Sequence, residues 1–389
     1  MTKLIYVPKN YILKTRLSPI IKWAGGKEQE LKYIHPAMPK KFKNYYEPFV
    51  GGGATFFSIN ADEMYINDKS HELINLYSMI KTQDYVFFET VKNIILNWNT
   101  LESIVDKNKK EFIDLYRSFS NDKIHEINVK RWVNEFVNIN NNNLKEMLEL
   151  SLNINLDSFL KEVNKNLFSK IKRMKKIELE KSKLPDNDIL DNIESALKSA
   201  LYMYFRYLYN NIKKYNIGNS QESAIFFFIR NFAYSGMFRY NKNGDFNVPY
   251  GGIGYNKKNL FKKLEYLQST ELIQHLKDTS INNLDFEDFL KKYKPQKNDF
   301  IFLDPPYDSE FSTYAQNEFN KDDQIRLADY LINKCEAKWM MIIKNTDFIF
   351  SLYDNPNINI SDFDKKYMVS FQNRNDRDVQ HLLIRNYEE

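Results

Sequence analysis

The residues best equipped for chemistry are Asp304, Pro305, Pro306 and Tyr307, which follow the apolar run Phe300-Ile-Phe-Leu. Two prolines fix the backbone and remove its donors, so carbonyls remain as acceptors beside one carboxylate, with an aromatic face alongside. That set suits a planar ligand carrying an exocyclic amine: the amine donates to Asp304 and to the Pro305 carbonyl while the ring stacks on Tyr307. An ordinary turn after an edge strand would use the same residues, since Asp-Pro and Pro-Pro are common loop dipeptides. A second constellation is Gly51 to Gly53, which closes the aromatic run Asn44 to Val50. A glycine turn there brings backbone close to a ligand at the carboxyl end of a sheet. Asp68 lies 17 positions after Gly51, close to the spacing at which an acidic residue meets ribose hydroxyls. Together they suggest an adenosine-containing cofactor. The turn lacks the G-x-G-x-x-G spacing and a P-loop Lys-Ser/Thr, which argues against a dinucleotide or triphosphate.

The elements that must position these groups follow from periodicity. Asn44 to Val50 and Glu63 to Asp68 read as strands. His71 to Lys81, with Leu73, Ile74, Tyr77 and Ile80 at helical spacing, reads as a helix, which makes a βαβα start. From about Asp84 to Tyr215 glycine vanishes, Asn and Lys rise, and apolar residues recur at three and four, as at Phe112, Leu115, Tyr116 and Phe119. This predicts an inserted block of three or more helices, broken by a loop at Asn138 to Asn143 and again at Pro185. An apolar helix over Ala224 to Gly236 follows, and Asn243-Gly244 between alternating apolar positions predicts a hairpin over 236–250. The last third alternates again: strand Asp299 to Leu303, helix Lys321 to Cys335, strand Lys338 to Lys344, a short helix Phe348 to Tyr353, and two terminal strands, Lys366 to Gln372 and Asp378 to Asn386, close enough to be antiparallel. The fold class expected is α/β with a mixed, open sheet, interrupted once.

Composition bounds the function. The 389 residues (46.6 kDa) are 43% hydrophobic and 28% charged, with mean hydropathy −0.58, enough apolar side chain for a core and no run of the roughly 20 apolar residues a membrane helix needs. The N-terminus has no apolar stretch of the secretory type, and the single cysteine, Cys335, fits a reducing cytoplasm. Five histidines far apart give no zinc spacing, so the chemistry falls to carboxylates, aromatics, backbone or an organic cofactor. Net charge is only +5, yet Lys161 to Lys183 holds nine basic against three acidic residues. Such a stripe tracks a phosphate backbone or simply forms a solvated helix face.

The order Trp23-Ala-Gly-Gly-Lys27, Glu47-Pro-Phe-Val-Gly-Gly-Gly53, Asn231-Phe-Ala-Tyr-Ser-Gly-Met-Phe-Arg-Tyr-Asn241 with Phe246-Asn-Val-Pro-Tyr-Gly251, and Asp304-Pro-Pro-Tyr307 resembles the Dam-type (alpha-group) DNA adenine methyltransferases, over residues 18–84 and 220–388. The resemblance implies a Rossmann-like class I methyltransferase domain (1–84 and 256–389) that uses S-adenosyl-L-methionine, with a helical insertion and target-recognition region (85–255). It implies that Trp23, Lys27, Glu47, Pro48, Phe49, Gly51, Gly53, Asp68 and Asp304 hold the cofactor, and that Asp304, Pro305, Pro306 and Tyr307 form the catalytic set. Phe49 would be a second stacking surface for the base. The roughly 130-residue insertion has no close counterpart in the shortest members. Ser235 stands where GATC-methylating relatives usually carry Asn, which speaks against a GATC target.

The reaction implied is extrusion of an adenine from the duplex, at a cost of a few kcal/mol, followed by direct attack of its N6 amine on the sulfonium methyl. DNA contacts fall to Tyr234, as a wedge, to Arg239, as a guanine reader, to Asn241, and to Lys172 of the basic stripe. A phosphate contact for Arg239 and a packed ring for Tyr234 are the plainer alternatives. A monomer is expected, paired functionally with a restriction endonuclease that is not a stable subunit. Two competing readings are an RNA adenine methyltransferase and a catalytically silent DNA-binding subunit.

Overall fold

A computed structural model describes residues 11–13, 17–23, 25–149, 152, 154–307, 319–366 and 378–388. The chain runs through α1 (Leu31–Ala37), β1 (Asn44–Glu47), β2 (Glu63–Asn67) and α2 (His71–Lys81). It then leaves the sheet for α3 (Tyr85–Lys107), α4 (Lys109–Ser120), α5 (Glu126–Ile139), α6 (Asn141–Glu149), α7 (Leu156–Glu180), α8 (Asp186–Tyr209), α9 (Ile212–Tyr215), α10 (Asn219–Phe232) and α11 (Phe261–Leu267). It returns through α12 (Thr270–Lys277), β3 (Thr279–Asn282), α13 (Phe286–Tyr293), β4 (Phe300–Leu303), α14 (Lys321–Asn333), β5 (Lys338–Lys344), α15 (Asp347–Tyr353), β6 (Asn359–Lys366) and β7 (Asp378–Arg385). Two compact units result: Met1–Lys81 with Ser269–Glu389, and Thr82–Gln268. The helical unit extends past residue 255 because α11 packs on α3.

In the first unit the strands lie in the order β3-β2-β1-β4-β5-β7-β6, parallel except for β7, which runs antiparallel to both neighbours. This is the mixed α/β sheet of a class I methyltransferase. All four residues of β4 are buried, and β5 is buried from Trp339 to Ile343, as expected for central strands covered on both faces. One face carries Phe289 and Leu290 of α13, Leu327 and Leu331 of α14, and Ile349 and Tyr353 of α15 against Ile301, Leu303, Trp339 and Met341. β3, of sequence Thr-Ser-Ile-Asn, was not expected: it is short and polar, pairs with β2, and is tied at its ends by Lys81 on the Thr279 carbonyl and Lys292 and Tyr293 on Asn282 Oδ1. The first terminal strand is Asn359–Lys366, ahead of the expected span, whose residues 367–372 lie outside the described residues.

The second unit is built on α3, α8 and α10, with α7 paired along α8. Its core includes Trp98, Tyr202, Phe205, Phe227 and Phe228. The asparagine run is not a loop: Asn140 ends α5, its side chain donating to the Phe136 carbonyl, and α6 starts at Asn141. The hairpin expected over 236–250 turns at Asn243-Gly244, with the Asn241 N–H on the Asp245 carbonyl and the Asn247 N–H on the Arg239 carbonyl, but its pairing is shorter than the expected span. Two isolated antiparallel bridges, Tyr240↔Phe246 and Ala233↔Tyr250, replace a ladder. The reason is competition from α8, where the Asn210 side chain bonds both the N–H and the carbonyl of Phe246, and Tyr202 and Arg206 donate to the Val248 carbonyl.

Candidate active site

Asp304 is the first residue beyond β4, at the carboxyl edge of the sheet. Lys27, only 2% exposed, donates to Asp304 Oδ1 at 2.5 Å and to the Gly25 carbonyl at 2.7 Å, and reaches the Tyr307 hydroxyl at 3.3 Å. The ammonium thereby uses its three donors on three acceptors. Two buried side chains hold the tetrapeptide from behind. Gln324 of α14 donates to the Pro306 carbonyl at 2.9 Å. His381 of β7 meets the Tyr307 hydroxyl at 3.2 Å through Nε2, their rings edge to face at 5.6 Å. Neither Gln324 nor His381 has a local motif that would have singled it out.

The glycine turn is fixed by what presses on it. Gly51 and Gly53 have φ of +50° and +81°, in the left-handed region. A Cβ on Gly51 would meet Trp23 Cδ1 at 2.9 Å, and one on Gly53 would meet the Tyr77 hydroxyl at 2.5 Å. Asp68, just past β2, accepts from the Gly51 N–H at 3.0 Å and the Ser70 N–H at 2.9 Å. Burial raises its carboxyl from 3.8 to about 6 against the pull of those bonds. Glu47, at the end of β1, is buried and accepts from the Tyr45 hydroxyl at 2.6 Å. Burial pushes it well above the carboxylate range, and the neighbouring Asp304 and Asp68 charges add to that. Asn67 ties the turn together, donating to the Pro48 and Leu284 carbonyls. Phe49 packs on Phe286 at 5.6 Å and Phe319 at 5.5 Å.

The structure therefore brings Lys27, Asp304 and Tyr307 into one cluster and Trp23, Gly51 and Asp68 into another, with Glu47 charge-coupled to Asp304 and Asp68. Asp304 is paired with the buried Lys27 ammonium, while Glu47 and Asp68 are carboxyls with no cationic partner among the described residues, an arrangement that suits a cationic, hydroxyl-bearing ligand. No group of side chains that could hold a metal ion occurs among the described residues.

In the helical unit, Tyr234 is 48% exposed and Arg239 is exposed, its Nε donating to Asn247 Oδ1 at 3.0 Å. Asn241 is spent on the turn: its Oδ1 accepts from the N–H of Asn243 and of Asp245, both at 2.9 Å. Arg230 is buried beneath this loop, donating to the Gly236 carbonyl with its guanidinium 4.5 Å from the Phe238 ring. Burial lowers its pKa to about 10. Lys172 bridges to Glu126 at 2.7 Å and Lys175 to Asp122 at 2.5 Å, so these members of the basic stripe tie α7 to its neighbours.

The model of the D12 class of N6 adenine-specific DNA methyltransferases matches residues 23–193 and 181–369. Type II methyltransferase M.CviBI of Paramecium bursaria Chlorella virus NC1A is 26% identical over 95% of this chain and 100% of its own length. Type II methyltransferase M.MjaIII of Methanocaldococcus jannaschii is 26% identical over 95% and 99%, and the DNA adenine methylase of Haemophilus influenzae 23% over 88% and 85%. Spans of that length take in most of the helical unit as well as the sheet. With the Asp304-Pro-Pro-Tyr307 tetrapeptide at the carboxyl edge of such a sheet and a family match across both units, the chain belongs to the D12 class of N6 adenine-specific DNA methyltransferases.

Proposed function

We propose that the chain methylates the N6 amine of an adenine flipped out of a specific duplex site, with S-adenosyl-L-methionine as donor. The observation that carries this reading is the Asp304–Lys27 pair beside Tyr307 at the end of β4. Asp304 and the Pro305 carbonyl accept the two amine hydrogens, which turns the nitrogen lone pair out of ring conjugation. Lys27 orients the carboxylate and balances its charge. Tyr307 stacks on the base, with Pro306 and Gln324 fixing the backbone beneath it. Trp23, the Gly51–Gly53 turn, Glu47 and Asp68 hold the donor, and Asp68 accepts from its ribose hydroxyls. When bound, S-adenosylmethionine supplies an electrophilic sulfonium methyl. The proton shed by the amine passes to the Asp304 carboxylate and on to water, so no covalent enzyme intermediate is required.

In the same reading the exposed Tyr234 and Arg239 meet the DNA around the target, and Asn241 braces the turn that presents them. The type II methyltransferases among the relatives favour a role as the modification half of a restriction–modification pair, acting as a monomer beside a separate endonuclease. The test is Asp304→Ala, assayed for tritium transfer and for duplex binding. Transfer should fall by 100-fold or more, with binding within a few-fold of the parent. Retention of more than a few per cent of activity would remove Asp304 from the reaction.

A further inference from the structure

Between α5 and α7 the helical unit has a cleft of about 290 Å³. Lys130 and Asn134 line it from α5, and Lys161, Asn164 and Lys165 from α7, over an apolar floor that includes Phe168. Its lysines differ from the others on the same helix. Lys172 and Lys175 are bound to Glu126 and Asp122, and Lys176 pairs with Glu180. Lys130 and Lys161 have no ion-pair partner among the described residues, and Lys165 has only a 3.4 Å contact with Glu162 at the exposed rim.

Three lysine side chains line one cleft, and an anion bound there would offset the repulsion among their charges. Asn134 adds an amide donor at the same place, and Phe168 offers an apolar surface of the kind a sugar ring covers. We propose that this cleft, whose Lys130 and Lys161 have no carboxylate partner among the described residues, rather than the ion-paired Lys172 one turn beyond Phe168 on the same face of α7, is where the helical unit grips the phosphodiester backbone of duplex DNA. The inference rests on the reading that the helical unit holds the substrate DNA. A phosphate contact of this kind carries no sequence information, so it adds affinity to every duplex alike and leaves the choice of target elsewhere.

The experiment compares full-length Lys130→Gln/Lys161→Gln/Lys165→Gln with Lys172→Gln and the parent. Binding is measured on a cognate duplex, on a scrambled duplex and on an RNA hairpin, across a salt titration. All three lysines are exposed, so an unchanged melting temperature is expected and marks the variants as folded. The triple variant should lower the slope of log K against log salt by about one unit for each phosphate released. It should weaken cognate and scrambled duplexes by the same factor, while Lys172→Gln leaves the slope unchanged. An unchanged slope in the triple variant overturns the proposal. So does a loss confined to the cognate duplex, or one seen with the RNA hairpin but not with DNA. Loss of the slope in Lys172→Gln alone would move the contact one turn along α7 from Phe168, to Lys172 itself. If Asp304→Ala kept its methyl transfer while the triple variant lost slope, the catalytic assignment would fall and the cleft would stand.

Discussion

Replacing Asp68 by Asn should make the protein more stable at neutral pH and poorer at binding its methyl donor. Burial holds the Asp68 carboxyl at about 6 in the folded chain against 3.8 in an ordinary setting. Each unit is worth about 1.4 kcal/mol, so keeping the group ionised at pH 8 costs the fold about 3 kcal/mol. Because the folded state holds the proton more tightly, the associated stability is full below about pH 4 and is lost as pH rises through 6. Roughly half of the cost is present at pH 5 and little of it below pH 4. Asparagine removes the charge but sets an amide N–H₂ against one of the two N–H groups, from Gly51 and Ser70, that the carboxylate accepts, a loss of about 1 kcal/mol. The net gain is about 2 kcal/mol at pH 8, falls through zero between about pH 5 and pH 4, and becomes a loss of up to about 1 kcal/mol below that. Calorimetric melting of parent and variant at pH 8, 5 and 4 measures it. Donor affinity should move the other way, by roughly 1.5 to 3 kcal/mol, and the parent's affinity should fall below pH 6 while the variant's stays flat. A variant that melts below the parent at pH 8, or that binds the donor equally well, would refute the reasoning.

His381→Leu should slow methyl transfer about 10-fold by releasing the Tyr307 ring, the scale of one lost hydrogen bond. In a Tyr307→Phe background the same change should cost nothing further, and a full additional loss in that double mutant would show that His381 acts only on the fold. Arg239→Ala should cost about 1 to 3 kcal/mol and relax preference at one base pair only. Equal weakening on every duplex in a competition series would make Arg239 a backbone clamp.

Strong apolar runs made much of the sheet unit legible. β1, β2, β4 and β5 are short, aromatic or aliphatic, and bounded by turns, and α2 occupies the span its periodicity predicts. β3 escaped notice because four residues, mostly polar, leave no alternation to read, and its pairing with β2 crosses more than 200 positions of sequence. The asparagine run was misread because Asn is a poor helix former in isolation, whereas here Asn140 closes α5 and the buried Leu144 and Leu148 anchor α6. At the site, the tetrapeptide and the glycine turn carried their own signals. Gln324 and His381 did not: each acts through one long-range hydrogen bond, and a lone buried polar residue looks the same in sequence whatever it touches.

The helical unit begins and ends at one place. Gln83, at its start, donates through its side chain to the Leu267 carbonyl, at its end, at 3.2 Å. A segment whose two ends meet imposes almost no span on the chain that hosts it, and closing a longer loop costs only about 0.6 kcal/mol per doubling of its length. Lineages could therefore lengthen, trim or exchange this cassette without re-registering a single strand, and target preference could drift at a pace independent of the methyl-transfer chemistry. A graft cut at Thr82 and Gln268 is the natural unit for building hybrid enzymes between relatives.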